Sequence, residues 1–224
     1  MKNSVNPKKA KKRIVFFDFD NTITMGDVLD DMLERYSINF KWQELEKKWK
    51  DGEIGSKECL EGQIKGIRIT KRELDNYLSR VKIDPYFKVL LKYLRSKKIK
   101  TLIVSDNFDY ILKRILRNNR IALQSIYANS VRFNNNRLRP SFPHTNPKCG
   151  DCAHCKQTTV QAKSGKGSLS IFIGDGQSDV CAARDANVVF AKDSLKKHFQ
   201  QEHLPHVPIS GLKDVYNYLK ERER

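Results

Sequence analysis

The sequence predicts an α/β fold: a Rossmann-like parallel sheet with helices on both faces and an inserted helical cap domain. Three observations point there. Short apolar runs rich in β-branched and aromatic residues recur at 13–17 (RIVFF), 100–104 (KTLIV), 169–173 (LSIFI) and 187–190 (NVVF), each reading as a strand buried on both faces. The stretches between them carry apolar residues at helical spacing, and strands alternating with helices build a parallel sheet. One interval, 26–82, breaks that alternation with helical patterns alone.

Along the chain, 1–12 (MKNSVNPKKAKK) is almost free of large apolar side chains and reads as a mobile basic leader. After the first strand, Leu29, Met32, Leu33 and Tyr36 form one apolar stripe, Trp42, Leu45 and Trp49 a second, and Leu74, Tyr77, Leu78 and Val81 a third. The aromatics Tyr36, Trp42 and Trp49 could line a pocket, but at helical spacing they are expected mainly in the core of this insert. The chain returns near Asp84 and Pro85, where proline suits a helix start. Helical stripes follow at Phe87, Leu90, Leu91 and Leu94 and at Ile111, Leu112, Ile115 and Leu116. Residues 127–139 read as a hairpin turning at three asparagines, and 140–156 as a loop rich in Cys and His. The expected organisation is a catalytic core at 13–25 and 83–224 interrupted by a cap at 26–82.

Composition narrows the function. A hydrophobic fraction of 39% in 224 residues suits one substantial core plus a small accessory domain. No apolar run approaches the roughly 20 residues that span a bilayer, so a cytoplasmic protein with no membrane partner is expected. Five cysteines, an odd number, argue for reduced thiols rather than a secreted disulfide framework. The 43 Lys and Arg against 26 Asp and Glu give a formal charge of +17. These basic residues are scattered over many segments, so solvated helix faces explain most of them and a nucleic-acid partner is not expected.

Chemistry is concentrated where strands end. The first strand runs into Asp18-Phe19-Asp20-Asn21-Thr22, and carboxylates at i and i+2 of an extended chain project to the same side. The second ends in Ser105-Asp106-Asn107, and a later one in Gly174-Asp175-Gly176-Gln177-Ser178-Asp179. In a parallel sheet these groups converge at the carboxyl edge, where open α/β sheets place ligands.

This ordered set, DFDNT, a strand-ending Ser, a Lys and GDGxSD, resembles the motifs of the haloacid dehalogenase superfamily over about residues 13–192. The helical insert together with VKIDPYF, VSDNFD and VVFAKDSL is similar to its phosphoserine-phosphatase-like branch, and most of all to the methylthiopentenyl-phosphate phosphatases. The resemblance implies a Mg²⁺-dependent phosphomonoester hydrolase acting on a small phosphorylated metabolite. Asp18 would be the nucleophile and Asp20 the general acid and base. Asp18, Asp20 through its backbone carbonyl, Asp175 and Asp179 would hold or support Mg²⁺. Ser105, Asp106 and Lys156 would bind phosphate, with Lys163 and Lys166 as alternatives for the lysine. Asn107 and Asn21 stand where relatives commonly carry smaller residues, and both tolerate unusual backbone angles. Only Asp27 occupies the region where phosphoserine enzymes carry a substrate-reading glutamate.

His144, Cys149, Cys152 and Cys155, with His154 nearby, offer ligands for a structural Zn²⁺, although three cysteines within seven residues strain a single tetrahedron. Unligated thiols or a local disulfide are the other readings. Two further functional classes stand beside the hydrolase: a phosphotransferase using the same aspartyl-phosphate, and a basic polyanion-binding protein on a phosphatase scaffold. The expected assembly is a monomer or homodimer.

Overall fold

The computed structural model describes residues 12–122, 125–149 and 152–222. The expected basic leader lies outside them except for Lys12, which already belongs to the first strand. The strands are β1 (Lys12–Phe17), β2 (Lys100–Phe108), β3 (Ile126–Asn134), β4 (Arg137–Ser141), β5 (Ser168–Gly174), β6 (Val188–Ala191) and β7 (Val207–Pro208). They form one sheet in the order β4-β3-β2-β1-β5-β6-β7, parallel throughout except for β4, which returns antiparallel to β3 through a hairpin. The class expected from the alternating runs is the class observed.

β1 occupies the centre and is buried on both faces, which is why it is apolar at every position from Ile14 to Phe17. Val15 and Phe17 face α5 (Tyr86–Ser96), α6 (Asp109–Asn118) and α10 (Leu212–Glu221). Ile14 and Phe16 face α7 (Lys156–Ser164), α8 (Val180–Asp185) and α9 (Asp193–Gln201). The two clusters are the two layers that helices on both faces require.

Between β1 and α5 the chain forms α1 (Val28–Tyr36), α2 (Lys41–Lys50), α3 (Ser56–Gly66) and α4 (Lys71–Leu78). Thr70 starts α4 with a capping box: its hydroxyl accepts from Glu73 N while the Glu73 carboxylate accepts from Thr70 N. The three apolar stripes correspond to α1, α2 and α4, whereas α3 has no predicted counterpart. Its buried Cys59, Leu60 and Ile64 are interrupted by Gly62, where a Cβ would stand 2.6 Å from the end of the Leu45 side chain. The two crossings between this four-helix segment and the sheet pair with each other, Met25 N donating to Lys82 O (3.0 Å) and Asp84 N to Ile23 O (2.8 Å). On its far side the segment touches the β3–β4 hairpin, where Ile69 N donates to Asn136 O (2.8 Å).

β2 runs four residues beyond its apolar stretch. Its pairing with β3 slips between Val104 and Phe108, so 105–107 have no partner residue in either ladder among the described residues. That slip opens the sheet edge at the residues expected to bind phosphate.

Among the described residues no helix is long and apolar enough to cross a membrane.

Candidate active site

The carboxyl ends of β1, β2 and β5, with the start of α7, meet in a cavity of about 180 Å³. Asp18, Asp20, Ser105, Asp106, Lys156 and Asp175 all line it, so six of the residues expected from the motifs share one space. Asp179 sits behind this wall, with 0% exposure. Of the three candidate lysines the structure brings Lys156 to the centre, while Lys163 lies over the Tyr127 ring at 5.0 Å.

Asp18 follows β1 directly, and its backbone N–H still donates to Ile173 O (2.9 Å) of β5. The last ladder bond therefore fixes where its carboxylate begins. Asn21 then takes a left-handed backbone (φ 52°), and the chain folds back so that Asn21 N reaches Gly26 O at 3.3 Å. Asparagine tolerates that conformation better than most residues. The same expectation does not hold for Asn107, which stays in the extended β2. Its contribution is a side-chain one: Nδ2 donates to both oxygens of Asp20 (3.2 and 3.0 Å), while its Oδ1 accepts from Phe108 N. Val28 N, at the start of α1, donates to Asp20 Oδ1 at 3.0 Å. Asp20 is thus held from the sheet and from the helical segment together.

Lys156 is 3% exposed and donates to Asp18 Oδ1 (2.6 Å), Asp179 Oδ1 (2.7 Å) and Ser178 Oγ (3.2 Å). A buried ammonium of this kind persists only because carboxylates compensate it. Burial alone would lower its pKa, but Asp179 and Asp18 outweigh that and raise it well above the usual lysine range. Asp179 spends its second oxygen on the turn after β5, accepting from Asp175 N and Gly176 N, both at 3.1 Å. Gly174 makes this approach possible, since a Cβ there would stand 2.4 Å from Asp179 Oδ2.

The remaining acids are pushed toward the protonated form. Burial, then Asp179, raises Asp18 well above the usual carboxylate range, against the opposing pull of Lys156. Burial and the neighbouring Asp27 raise Asp20, against the bonds from Asn107 and Val28. Burial and Asp179 carry Asp175 to about 6, while the Thr22 hydroxyl, 3.1 Å from its Oδ1, favours the charged form. Asp106 is also raised by burial, and its Oδ1 is buried with no protein partner.

Ligand oxygens of Asp18, Asp175 and Asp179 all lie within 4.8 Å of one another. Three hard carboxylates crowded this closely, two of them with raised pKa values, are the donor set a divalent cation such as Mg²⁺ would relieve. The Cys/His loop gains no such support. Among the described residues His144, Cys152 and Cys155 join no group of converging ligands, and the Cys149 side chain lies outside them. His154 has both ring nitrogens in hydrogen bonds, Nδ1 at 3.1 Å from Ser105 O and Nε2 at 2.9 Å from Thr159 Oγ1. Among the described residues Cys59 and Cys181 are free thiols.

The opposite wall of the cavity comes from the helical segment: Asp27, Asp30, Glu46, Trp49, Cys59 and Gln63. Trp49, expected mainly in the core of the insert, lines the cavity instead, whereas Tyr36 and Trp42 pack against the core. Burial with Asp27 and Glu46 carries Asp30 to about 7, and burial holds the Cys59 thiol neutral by raising it to about 12. Four contributors had no separate signal in the sequence: Asn107 as a clamp on Asp20, Thr22 on Asp175, His154 on Ser105, and Asn129, whose Nδ2 donates to Asp106 O (2.6 Å).

A family model described as haloacid dehalogenase-like hydrolase matches residues 15–184. The chain is 27% identical over 221 residues to the 2-hydroxy-3-keto-5-methylthiopentenyl-1-phosphate phosphatase of Geobacillus thermodenitrificans, covering 95% of this chain and 98% of that one. It is 26% identical to the protein of the same name from Brevibacillus brevis, with 95% and 97% covered. Among solved structures, a substrate-bound phosphoserine phosphatase complex superposes with a TM-score of 0.72 over 93% of this chain and 98% of that one, at 16% identity. A phospho-aspartyl intermediate analogue of phosphoserine phosphatase gives 0.73 over 93% and 99%, also at 16% identity.

Proposed function

The chain belongs to the haloacid dehalogenase-like hydrolase family and is a phosphatase, and from that premise we propose that it hydrolyses a small phosphomonoester with Mg²⁺ through an aspartyl-phosphate on Asp18. The observation that carries this reading is the buried Lys156 bridge to Asp18 and Asp179, at 2.6 and 2.7 Å, beside the raised carboxyl of Asp20. On this reading Asp18, Lys156 and Asp20 share one cavity as nucleophile, fixed cation and proton donor.

In the first step an Asp18 oxygen attacks phosphorus, the bond from phosphorus to the leaving oxygen breaks, and Asp20 gives that oxygen its proton. Burial and Asp27 favour the protonated form of Asp20 for this task, while Asn107 and Val28 aim it. In the second step Asp20, now a carboxylate, takes a proton from water as the water oxygen attacks phosphorus. The bond to Asp18 then breaks and inorganic phosphate leaves. Ser105 and Lys156 supply the hydrogen bond and the charge for the phosphoryl oxygens. Asp18, Asp175, the Asp20 backbone carbonyl and, through its support of the turn, Asp179 would hold Mg²⁺, which neutralises charge developing on the phosphoryl group.

The four helices at 28–78 read as a cap over the cavity, excluding water while the aspartyl-phosphate forms. A cavity of about 180 Å³ suits a small metabolite, and the relatives' names point to phosphorylated ketones or phosphoserine as first compounds to test. Phosphate release from a panel of phosphorylated metabolites, with Mg²⁺ or EDTA, tests the reading. Turnover that needs Mg²⁺ and disappears in Asp18→Asn supports it; turnover that survives Asp18→Asn overturns it.

A further inference from the structure

The Cys/His loop carries a device that the motifs do not account for. His154 is 3% exposed, two residues before Lys156, and its ring reaches across to β2. The Ser105 carbonyl can only accept, so Nδ1 must carry the hydrogen in the 3.1 Å contact between them. Nε2 is then a lone pair, and it accepts from the Thr159 hydroxyl of α7 at 2.9 Å. Burial, reinforced by His144 and Lys156, lowers the imidazole to about 3, consistent with a ring that stays neutral.

The contact falls where the ladder between β2 and β3 is interrupted. Residues 105–107 lie beyond the pairing of β2 with β1 and inside the slip in its pairing with β3, which resumes at Phe108 opposite Asn129. Carbonyls left without a ladder partner need another donor. The Ser105 carbonyl takes His154, and the Asp106 carbonyl takes Asn129. At its other end His154 is locked to the start of α7, since Lys156 N donates to His154 O (2.9 Å) and Cys155 N to His144 O (2.9 Å). The His144 ring packs on that of His154 at 4.7 Å, and Ala153 N donates to Ser56 Oγ at the start of α3 (2.9 Å).

We propose that His154, fixed as the neutral Nδ1–H tautomer, is a positioning residue that sets Ser105 against Lys156 so that both meet the same phosphoryl group. This rests on the phosphatase reading above. One end of the ring fixes the peptide that carries the Ser105 hydroxyl, and the other end belongs to the turn that delivers the ammonium. The loop thereby acts as a hydrogen-bonded strut, with no metal needed for that task.

The test compares His154→Leu, which keeps bulk but has no donor, with His154→Asn, whose Nδ2 can donate from nearly the same place as Nδ1. Steady-state hydrolysis of p-nitrophenyl phosphate with Mg²⁺ and thermal unfolding are measured for both, with Asp18→Asn as a control. A misplaced donor costs on the order of ten- to a hundred-fold, so kcat of His154→Leu should fall by about that factor while KM changes much less. His154→Asn should recover most of the loss at a similar unfolding temperature. A Leu variant with wild-type kcat, or an Asn variant as slow as Leu, overturns the proposal while leaving the phosphatase reading intact. Wild-type protein as inert as Asp18→Asn overturns both. Should the Leu variant fail to fold, ¹⁵N NMR of the wild-type imidazole decides: protonation at Nδ1 with no titration between pH 5 and 8 supports the strut, and an Nε2–H tautomer overturns it.

Discussion

Replacing Lys156 with methionine separates its electrostatic role from its bulk, because the two side chains share length and much of their volume. In the wild type the ammonium compensates Asp18 and Asp179 at 2.6 and 2.7 Å, all three groups being less than a tenth exposed. Removing one partner of a buried ion pair leaves an uncompensated charge and costs about 3–5 kcal/mol. Asp18 escapes part of that by taking up a proton, its folded pKa rising further above the unfolded value. A raised carboxyl is most favourable below its unfolded pKa and loses that advantage as pH rises through the folded one. The deficit of Lys156→Met relative to wild type should therefore be smaller at pH 4 than at pH 7. Denaturant unfolding at both pH values, with unchanged m, measures it. Loss of one charge-stabilising donor should also lower kcat by about 10²–10³. A deficit under about 1 kcal/mol at pH 7, or catalysis within threefold of wild type, would refute the reasoning.

Three further outcomes follow from the same geometry. Asp175 titrates at about 6 when no cation is near, so its ionisation opposes folding, and this penalty grows as pH rises from about 4 to about 6, by at most about 3 kcal/mol. Asp175→Asn should lose that pH dependence in metal-free protein, together with any gain in unfolding temperature on adding Mg²⁺; an undiminished Mg²⁺ response would place the cation elsewhere. In Gly174→Ala the new methyl meets Asp179 Oδ2, and the resulting shift should cost about 1–3 kcal/mol and at least about tenfold in kcat, read by denaturant unfolding and steady-state kinetics. Asn107→Ala removes bonds that favour the charged form of Asp20, so the acid should hold its proton to higher pH, moving the alkaline limb of the kcat/KM profile upward; a downward move would contradict Asp20 as the proton donor.

How far the sequence anticipated this structure differs from element to element. β1, β2, β5 and β6 announce themselves because a strand buried on both faces is apolar at successive positions, and the observed bounds fall within a few residues of the runs. β7 gives no such signal: it is two residues long, contains Pro208 and lies at the sheet edge. α3 is hidden because Gly62 and Gly66 interrupt its apolar stripe, and Gly62 is the position where α3 packs against the Leu45 side chain. The clustering of Asp18 and Asp175 was legible because each follows a strand directly, so chain order alone predicts their convergence. Asn107, Thr22 and His154 were not, since each acts through a hydrogen bond to a residue 49 to 153 positions away. Nothing in local spacing encodes such a partner. The Cys/His loop illustrates the converse, where residue types suggest soft metal ligands while the fold commits His154 to the Ser105 carbonyl and the Thr159 hydroxyl.

The central claim is that Asp18 accepts a phosphoryl group beside a divalent cation. Beryllofluoride mimics a phosphoryl group on a carboxylate, and its ¹⁹F NMR signals report binding without knowledge of the natural substrate. With Mg²⁺ present the wild type should give protein-bound ¹⁹F resonances that vanish on adding EDTA and are absent from Asp18→Asn. Bound resonances of equal intensity in Asp18→Asn, or none in folded wild type at saturating Mg²⁺ and beryllofluoride, would contradict the account.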